Sequence, residues 1–228
     1  MTASRNPLVL VLDIFRAPSA SFIALHQHGS WGWQPFILLM ISPFLFWGAY
    51  FSSVNFDWLS GILLSDAAQL NSEQAALLTP ETLMVVEIIN DITARVMTLL
   101  MLALWFMLAT RASQAHGFWK WFAAASVMLF PAVLGDFASY ASLTLNQNAV
   151  VSYAADLNSL NGLLKLPLSH PWSGWASAFP LLLPWYIVLG YAAVLTWTPL
   201  ERGQALVIAS LPWLSYFIIW ALVILIAH

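Results

Sequence analysis

The chain has 228 residues, of which 7% are charged and 61% hydrophobic, with a formal charge of −3. A soluble domain of this size carries roughly a quarter charged residues, so a water-soluble globule is excluded, and the acidic balance offers no basic patch for nucleic acid. The absence of cysteine rules out disulfides, thiolate metal sites and thiol nucleophiles.

Residues 1–33 form an N-terminal segment too interrupted to span a bilayer. Pro7 to Leu12 is a short apolar run broken by Asp13 and Arg16, and no small-residue cleavage site follows it, so no cleavable signal peptide is expected. As a helix, this stretch places Leu8, Leu12 and Phe15 on one face and Asp13 and Arg16 off it. That predicts an amphipathic helix in the interface plane, breaking at Pro18 and continuing its apolar contact through Phe22 and Leu25. The rival reading is a partly ordered tail.

The remainder, 34–228, reads as one membrane domain. About 20 apolar helical residues cross the hydrocarbon core, and five blocks qualify, at about 34–54, 92–110, 119–143, 175–196 and 203–227. The fold class is therefore all-α: a bundle of about five transmembrane helices with an N-terminal interfacial segment. Span one opens at Pro35, a tolerated first-turn position. A loop from Asn55 to Thr79 follows, holding Asp57, Asp66 and Glu73. Thr79-Pro80-Glu81 predicts a helix start ahead of span two: cap, first-turn proline, then an acid at the positive end of the dipole. A second long connection, Thr144 to Gly174, has apolar pieces around Leu157 to Leu168 suited to the interface. Tryptophans 31, 33, 58, 119, 121, 172 and 175 fall where spans meet water, the depth an indole favours.

Lys and Arg placement sets the orientation. Arg5, Arg16, Arg111, Lys120 and Arg202 fall in the N-terminal segment and in the turns after spans two and four, whereas the two long connections hold only Lys165. Five spans put the basic segments on one side, with the N-terminus cytoplasmic and the C-terminus external. Leu183-Pro184-Trp185 and Leu211-Pro212-Trp213 look alike, but three residues do not establish a repeat.

Ionisable groups in hydrocarbon are costly and are candidates for function by default. Asp136 lies about 25 Å along span three, in its outer third, and Arg95 sits at similar depth on span two. Glu87, Asp91 and Arg95 follow at i, i+4 and i+8 on one helix face, in the acid-before-base order that favours pairing. Thr98 and Tyr140 extend this patch inward. Two readings compete: a proton, cation or polar-solute site opening outward, or a structural pairing of Arg95 with Asp136 or Asp91. The inner halves of spans two and three offer little beyond Thr98, Thr110 and Ser126, which favours the structural one.

His26, His28 and His116 do not make a metal site, because residues i and i+2 point to different sides of a helix and no acid or thiol completes a zinc shell. His170, before Pro171, is a loop residue. Pro43, Pro131, Pro180, Pro184 and Pro212 fall within spans, where each removes a backbone donor and frees a carbonyl. Small residues from Ala123 to Ser126, with Gly135, Ala138 and Ser139, permit close helix approach on span three, which marks it as the central helix. No catalytic triad, carboxylate pair, phosphate loop or metal motif assembles on one side of the membrane, so an enzyme is not expected, nor any cofactor.

The order of these features resembles the bacterial branch of the Yip family, named for eukaryotic Ypt/Rab-interacting proteins. The similarity is carried by Pro18-Ser19-Ala20-Ser21-Phe22, then Trp33-Gln34-Pro35 ahead of span one, and Pro131 early in span three. Further on come the aromatic-rich start of span four at Trp172 to Trp175, the Arg202-Gly203 turn and an apolar last span. The resemblance implies a five-helix membrane domain in a bacterial inner membrane, associated in eukaryotes with small GTPases, vesicle traffic and membrane shaping. The long soluble arm of eukaryotic members is not seen, so GTPase binding is not carried over. Expected partners are the lipid bilayer and another copy of the chain or a membrane complex. A small transporter or channel is the alternative.

Overall fold

A computed structural model describes residues 2–66, 79–145 and 150–227. Among the described residues the regular structure is helical, apart from one isolated bridge between Ser159 and Pro180. The helices are α1 (Pro7–Arg16), α2 (Pro18–Gln27), α3 (Trp33–Ser53), α4 (Phe56–Asp66), α5 (Pro80–Thr110), α6 (Phe118–Leu129), α7 (Pro131–Leu145), α8 (Leu160–Leu164), α9 (Ser173–Ala178), α10 (Leu183–Trp197) and α11 (Arg202–Ala227). Among the described residues, four segments are long and apolar enough to cross a membrane: Gly29–Ser53, Pro80–Thr110, Phe118–Leu145 and Arg202–Ala227.

Local chemistry explains most of the boundaries. Asn6 caps α1 by accepting the Val9 N–H at 2.9 Å, and Pro18, with no N–H to continue the ladder, ends it and opens α2. Thr79 accepts the Thr82 N–H at 3.2 Å, so the expected cap is in place. α5 runs 31 residues, about 46 Å, longer than a hydrocarbon core. The loop expected over Asn55–Thr79 is instead helical from Phe56 to Asp66, with Asn55 accepting the Trp58 N–H. The rest of that expectation, including Glu73, lies outside the described residues, as does 146–149 of the second connection.

The stretch expected as span four is broken. α9 ends at Ala178, Phe179 is extended, and α10 starts at Leu183. The cause is twofold. Pro180 and Pro184 cannot donate, and neighbouring backbone groups are already committed: Leu160 N–H donates to Phe179 at 2.9 Å, and Leu181 N–H to Asn158 at 2.6 Å. Pro131 acts more gently on span three. The residue before it, Phe130, keeps helical angles and donates to Val127 in a tighter turn, so α6 and α7 follow one another.

The chain divides into two compact units. The first comprises Met1–Met40, Ala94–Pro131 and Leu182–Tyr216, the second Ile41–Thr93, Ala132–Leu181 and Phe217–His228. In the first unit α2 packs against α1, α6 and α10. Its core holds Leu10, Ile14, Phe22, Leu39, Leu99, Phe106, Trp121 and Leu189. The buried side of α1 is therefore Leu10 and Ile14, while Leu8 and Leu12, expected to share a face with Phe15, point outward; Phe15 itself packs on Phe130 and Trp185. Trp121, expected where the span meets water, is fully buried. In the second unit, Phe46, Trp47, Tyr50 and Phe51 of α3 cluster with Leu59 and Leu63 of α4 and Ile88 of α5. Gly135 admits the Asn158 side chain, which a Cβ there would meet at 2.6 Å, and Ser139 accepts the Leu157 N–H at 2.8 Å. The small residues of span three thus serve the second connection as well as neighbouring helices.

Candidate functional site

Of the expected intramembrane charges, Asp91, Arg95 and Asp136 each have a hydrogen-bond partner on α3. In the second unit Asp136, 7% exposed on α7, accepts the Ser42 hydroxyl. Asp91 accepts the Trp47 indole N–H at 2.9 Å, and Glu87, one turn earlier on α5, hydrogen-bonds Ser152. Tyr140 lies one turn beyond Asp136 and is 42% exposed. In the first unit Arg95 donates to the Leu39 carbonyl at 3.0 Å.

That last bond has a specific origin. Pro43 lies inside α3 and, lacking an N–H, leaves the carbonyl four residues back, that of Leu39, without its helical donor. The same logic repeats at Pro212 inside α11. The carbonyl it frees is that of Ile208, and the Trp105 indole donates to it at 2.8 Å. Arg95 and Trp105 both belong to α5, which thus supplies donors to two proline-interrupted helices. The sequence marks the prolines as sources of free carbonyls but not the residues that fill the gaps. The signal is the i−4 carbonyl itself, once a long polar or indole side chain is sought on a neighbouring helix.

A second assembly in the first unit gathers around Trp197, at the end of α10. Its indole donates to the Phe22 carbonyl at 2.8 Å. Its ring lies 5.9 Å from that of His26, 5.7 Å from His116 and 5.0 Å from Trp121. Lys120 Nζ stands 5.2 Å over the same ring, within the range of a cation–π contact. The His26 and His116 rings are 5.4 Å apart, His116 Nε2 is 3.1 Å from the Trp197 carbonyl, and Lys120 Nζ is 3.5 Å from His26 Nε2. His28, just past the end of α2, turns away and stacks on Trp31. Burial holds both clustered imidazoles below their usual titration range, and the neighbouring ammonium lowers them further; for His116 the Trp197 carbonyl works the other way. No group of three or more metal-ligating side chains occurs among the described residues.

Beside this cluster opens a cleft of about 470 Å³, walled by Trp33, Phe36, Trp119 and Phe122, with His26 and Lys120 on its lining. The sequence marks Trp33 and Trp119 as interfacial, Lys120 as part of a basic turn, and His26 with His116 as residues that make no metal site. It does not show that they converge, because the segments that meet are about 90 residues apart.

Long apolar helices with exposed aliphatic faces, and interior charges held by hydrogen bonds, define a polytopic helical membrane protein. The Yip1 domain family matches residues 12–224, and the chain belongs to that family. No curated protein and no solved structure matches it significantly.

Proposed function

We propose that this is a non-enzymatic Yip-family membrane protein of the bacterial branch, acting through helix or lipid contacts in a bacterial inner membrane. In this reading it crosses the membrane five times, with a cytoplasmic N-terminus. The fifth crossing is the α9–α10 stretch: α10 alone has 15 residues, about 22 Å of helix, and the broken segment before it supplies the remaining length. Broken helices are tolerated at membrane depth where the freed backbone is satisfied by protein, and residues 158–160 do that. A reporter fused after His228 that works only outside the cytoplasm is expected to be active. Both termini on one side would reject five crossings.

The observation that carries the reading is the engagement of the intramembrane polar groups. Asp91, Arg95 and Asp136 each bond to α3 through Trp47, Leu39 and Ser42. Charges that fix helix packing are part of the scaffold, and the outer faces of α5 and α11 carry exposed Val85, Ile89, Met101, Val207, Ile218 and Leu222 for lipid or partner helices. An ion crossing by way of Asp136 would also face an apolar inner stretch, which unsolvated charge does not pass cheaply. Proteoliposomes provide the test. Asp136→Asn keeps a hydrogen-bonding group and loses the charge, and the variant is expected to retain wild-type behaviour when folded. A proton or cation flux in wild type that Asp136→Asn abolishes, with folding intact, replaces this reading by a transporter.

A further inference from the structure

The cleft beside Trp197 combines two features that call for one kind of ligand. Its walls are aromatic, and two of them, Trp33 and Trp119, are 57% and 72% exposed, the indole placement typical of a membrane–water interface. Its polar edge is basic. Lys120 and His26 approach to 3.5 Å, His116 stands behind them, and Lys120 lies in the first turn of α6, whose cap residue Gly117 offers no side-chain hydrogen bond. A lysine at a helix N-terminus meets the positive end of the dipole, so ammonium, imidazoles and dipole reinforce one another. Among the described residues, the cleft lining contains no aspartate or glutamate. The site has the charge to hold an anion and the apolar wall to hold a chain.

We propose that this cleft seats an anionic phospholipid, with its phosphate between Lys120 and His26 and an acyl chain along Phe36 and Phe122. A cleft of this size lies within the ordinary range for ligand sites, ~300–1,000 Å³. The phosphate would bridge the Lys120 ammonium and the His26 ring, which lie 3.5 Å apart, and Trp197 holds Lys120 from the far side, so the ammonium is pre-positioned. The proposal rests on the reading of the chain as a membrane protein that acts through helix or lipid contacts, and it specifies the lipid class.

The experiment uses the full chain, delipidated in detergent and offered dioleoyl phosphatidylglycerol, dioleoyl phosphatidylcholine or sodium phosphate. Bound lipid is read by native mass spectrometry, with melting temperature alongside. Wild type is expected to prefer phosphatidylglycerol by about fivefold, the scale of one basic residue near an anionic surface. Lys120→Gln should bring that ratio near one and Lys120→Arg should keep it. Arg111→Gln, an exposed cation outside the cleft, should leave it unchanged. Should Lys120→Gln not fold, His26→Gln on the exposed side of α2 is expected to lower the ratio. A wild-type ratio of one, a ratio unmoved by Lys120→Gln or His26→Gln in folded protein, or equal protection by inorganic phosphate would each overturn the site. None of those results touches membrane insertion, which cell fractionation reads separately.

Discussion

The charged groups of the spans and those around Trp197 are both partly withdrawn from water, yet they are treated differently. Asp91 receives an indole N–H, Asp136 a hydroxyl, and Arg95 a carbonyl that a proline left free. Their hydrogen bonds are directed at backbone and side chains that are themselves fixed. His26, His116 and Lys120 face one another instead, with aromatic rings between them and an open cleft alongside. A polar group whose partners are built into the fold is spent on the fold. Lys120 and His26 touch each other beside an open cleft, and their remaining hydrogen-bonding capacity is where binding is to be sought.

The comparison breaks first at Arg95. If its main task is to complete the Leu39 carbonyl, Arg95→Met should destabilise the detergent-solubilised protein by about 1.5–3 kcal/mol, the scale of a hydrogen bond to a charged group. Pro43→Ala restores a backbone donor to Leu39, so in that background the same substitution should cost measurably less. Equal costs in both backgrounds, measured as a double-mutant cycle on thermal or denaturant unfolding, would detach Arg95 from the proline gap. Trp105 sharpens the point with a neutral donor. Trp105→Phe should cost about 0.5–1.5 kcal/mol, since membrane hydrogen bonds average near the low end, and Pro212→Ala should absorb part of it. A Pro212→Ala background that leaves the Trp105→Phe cost unchanged would remove the shared rule for the two prolines.

How much of this was open to sequence reasoning follows from the range of each interaction. The segments Gly29–Ser53, Pro80–Thr110, Phe118–Leu145 and Arg202–Ala227 are legible because apolar length is a local property, and the Thr79 cap because it needs only four consecutive residues. The α9–α10 break is not, since it depends on backbone groups of 158–160 as well as on Pro180 and Pro184. Pro184 and Pro212 sit in the same Leu-Pro-Trp triplet, yet one occupies the first turn of α10 and the other the interior of α11. Triplet identity says nothing about register within a helix. Within α1, Leu8, Leu12 and Phe15 and the pair Leu10 and Ile14 are both helical stripes, and only the packing of α2, with Ser21 donating to the Leu10 carbonyl at 3.0 Å, shows that the second is the one buried within the protein while Leu8 and Leu12 stay exposed. The Trp197 cluster was least visible, because His26, the pair His116 and Lys120, and Trp197 come from three separate segments and no spacing links those segments.

The smallest expected effect concerns acid. His26 and His116 are held below the usual imidazole value of 6.5, burial first, then the Lys120 ammonium and, for His26, the His116 ring beside it; for His116 the Trp197 carbonyl opposes the shift. The unfolded chain titrates these rings near 6.5 and the folded protein does so at lower pH, so between the two the unfolded state binds more protons. Stability then rises with pH through that window. Their contribution is fully present above the unfolded value and is lost as pH falls through the folded one. The loss should be modest, because His26 is exposed and solvent screens its charge. Unfolding of the delipidated protein at pH 7.5 and at pH 5.5 measures it, with His116→Gln expected to flatten the slope. Phosphatidylglycerol should reverse the trend, since a phosphate between the cations favours the protonated rings and acid would then strengthen lipid retention. A pH slope that the His116→Gln variant keeps in full would show that the acid sensitivity arises from carboxylates elsewhere. The contrast between satisfied and crowded charges would then lose its titration signature.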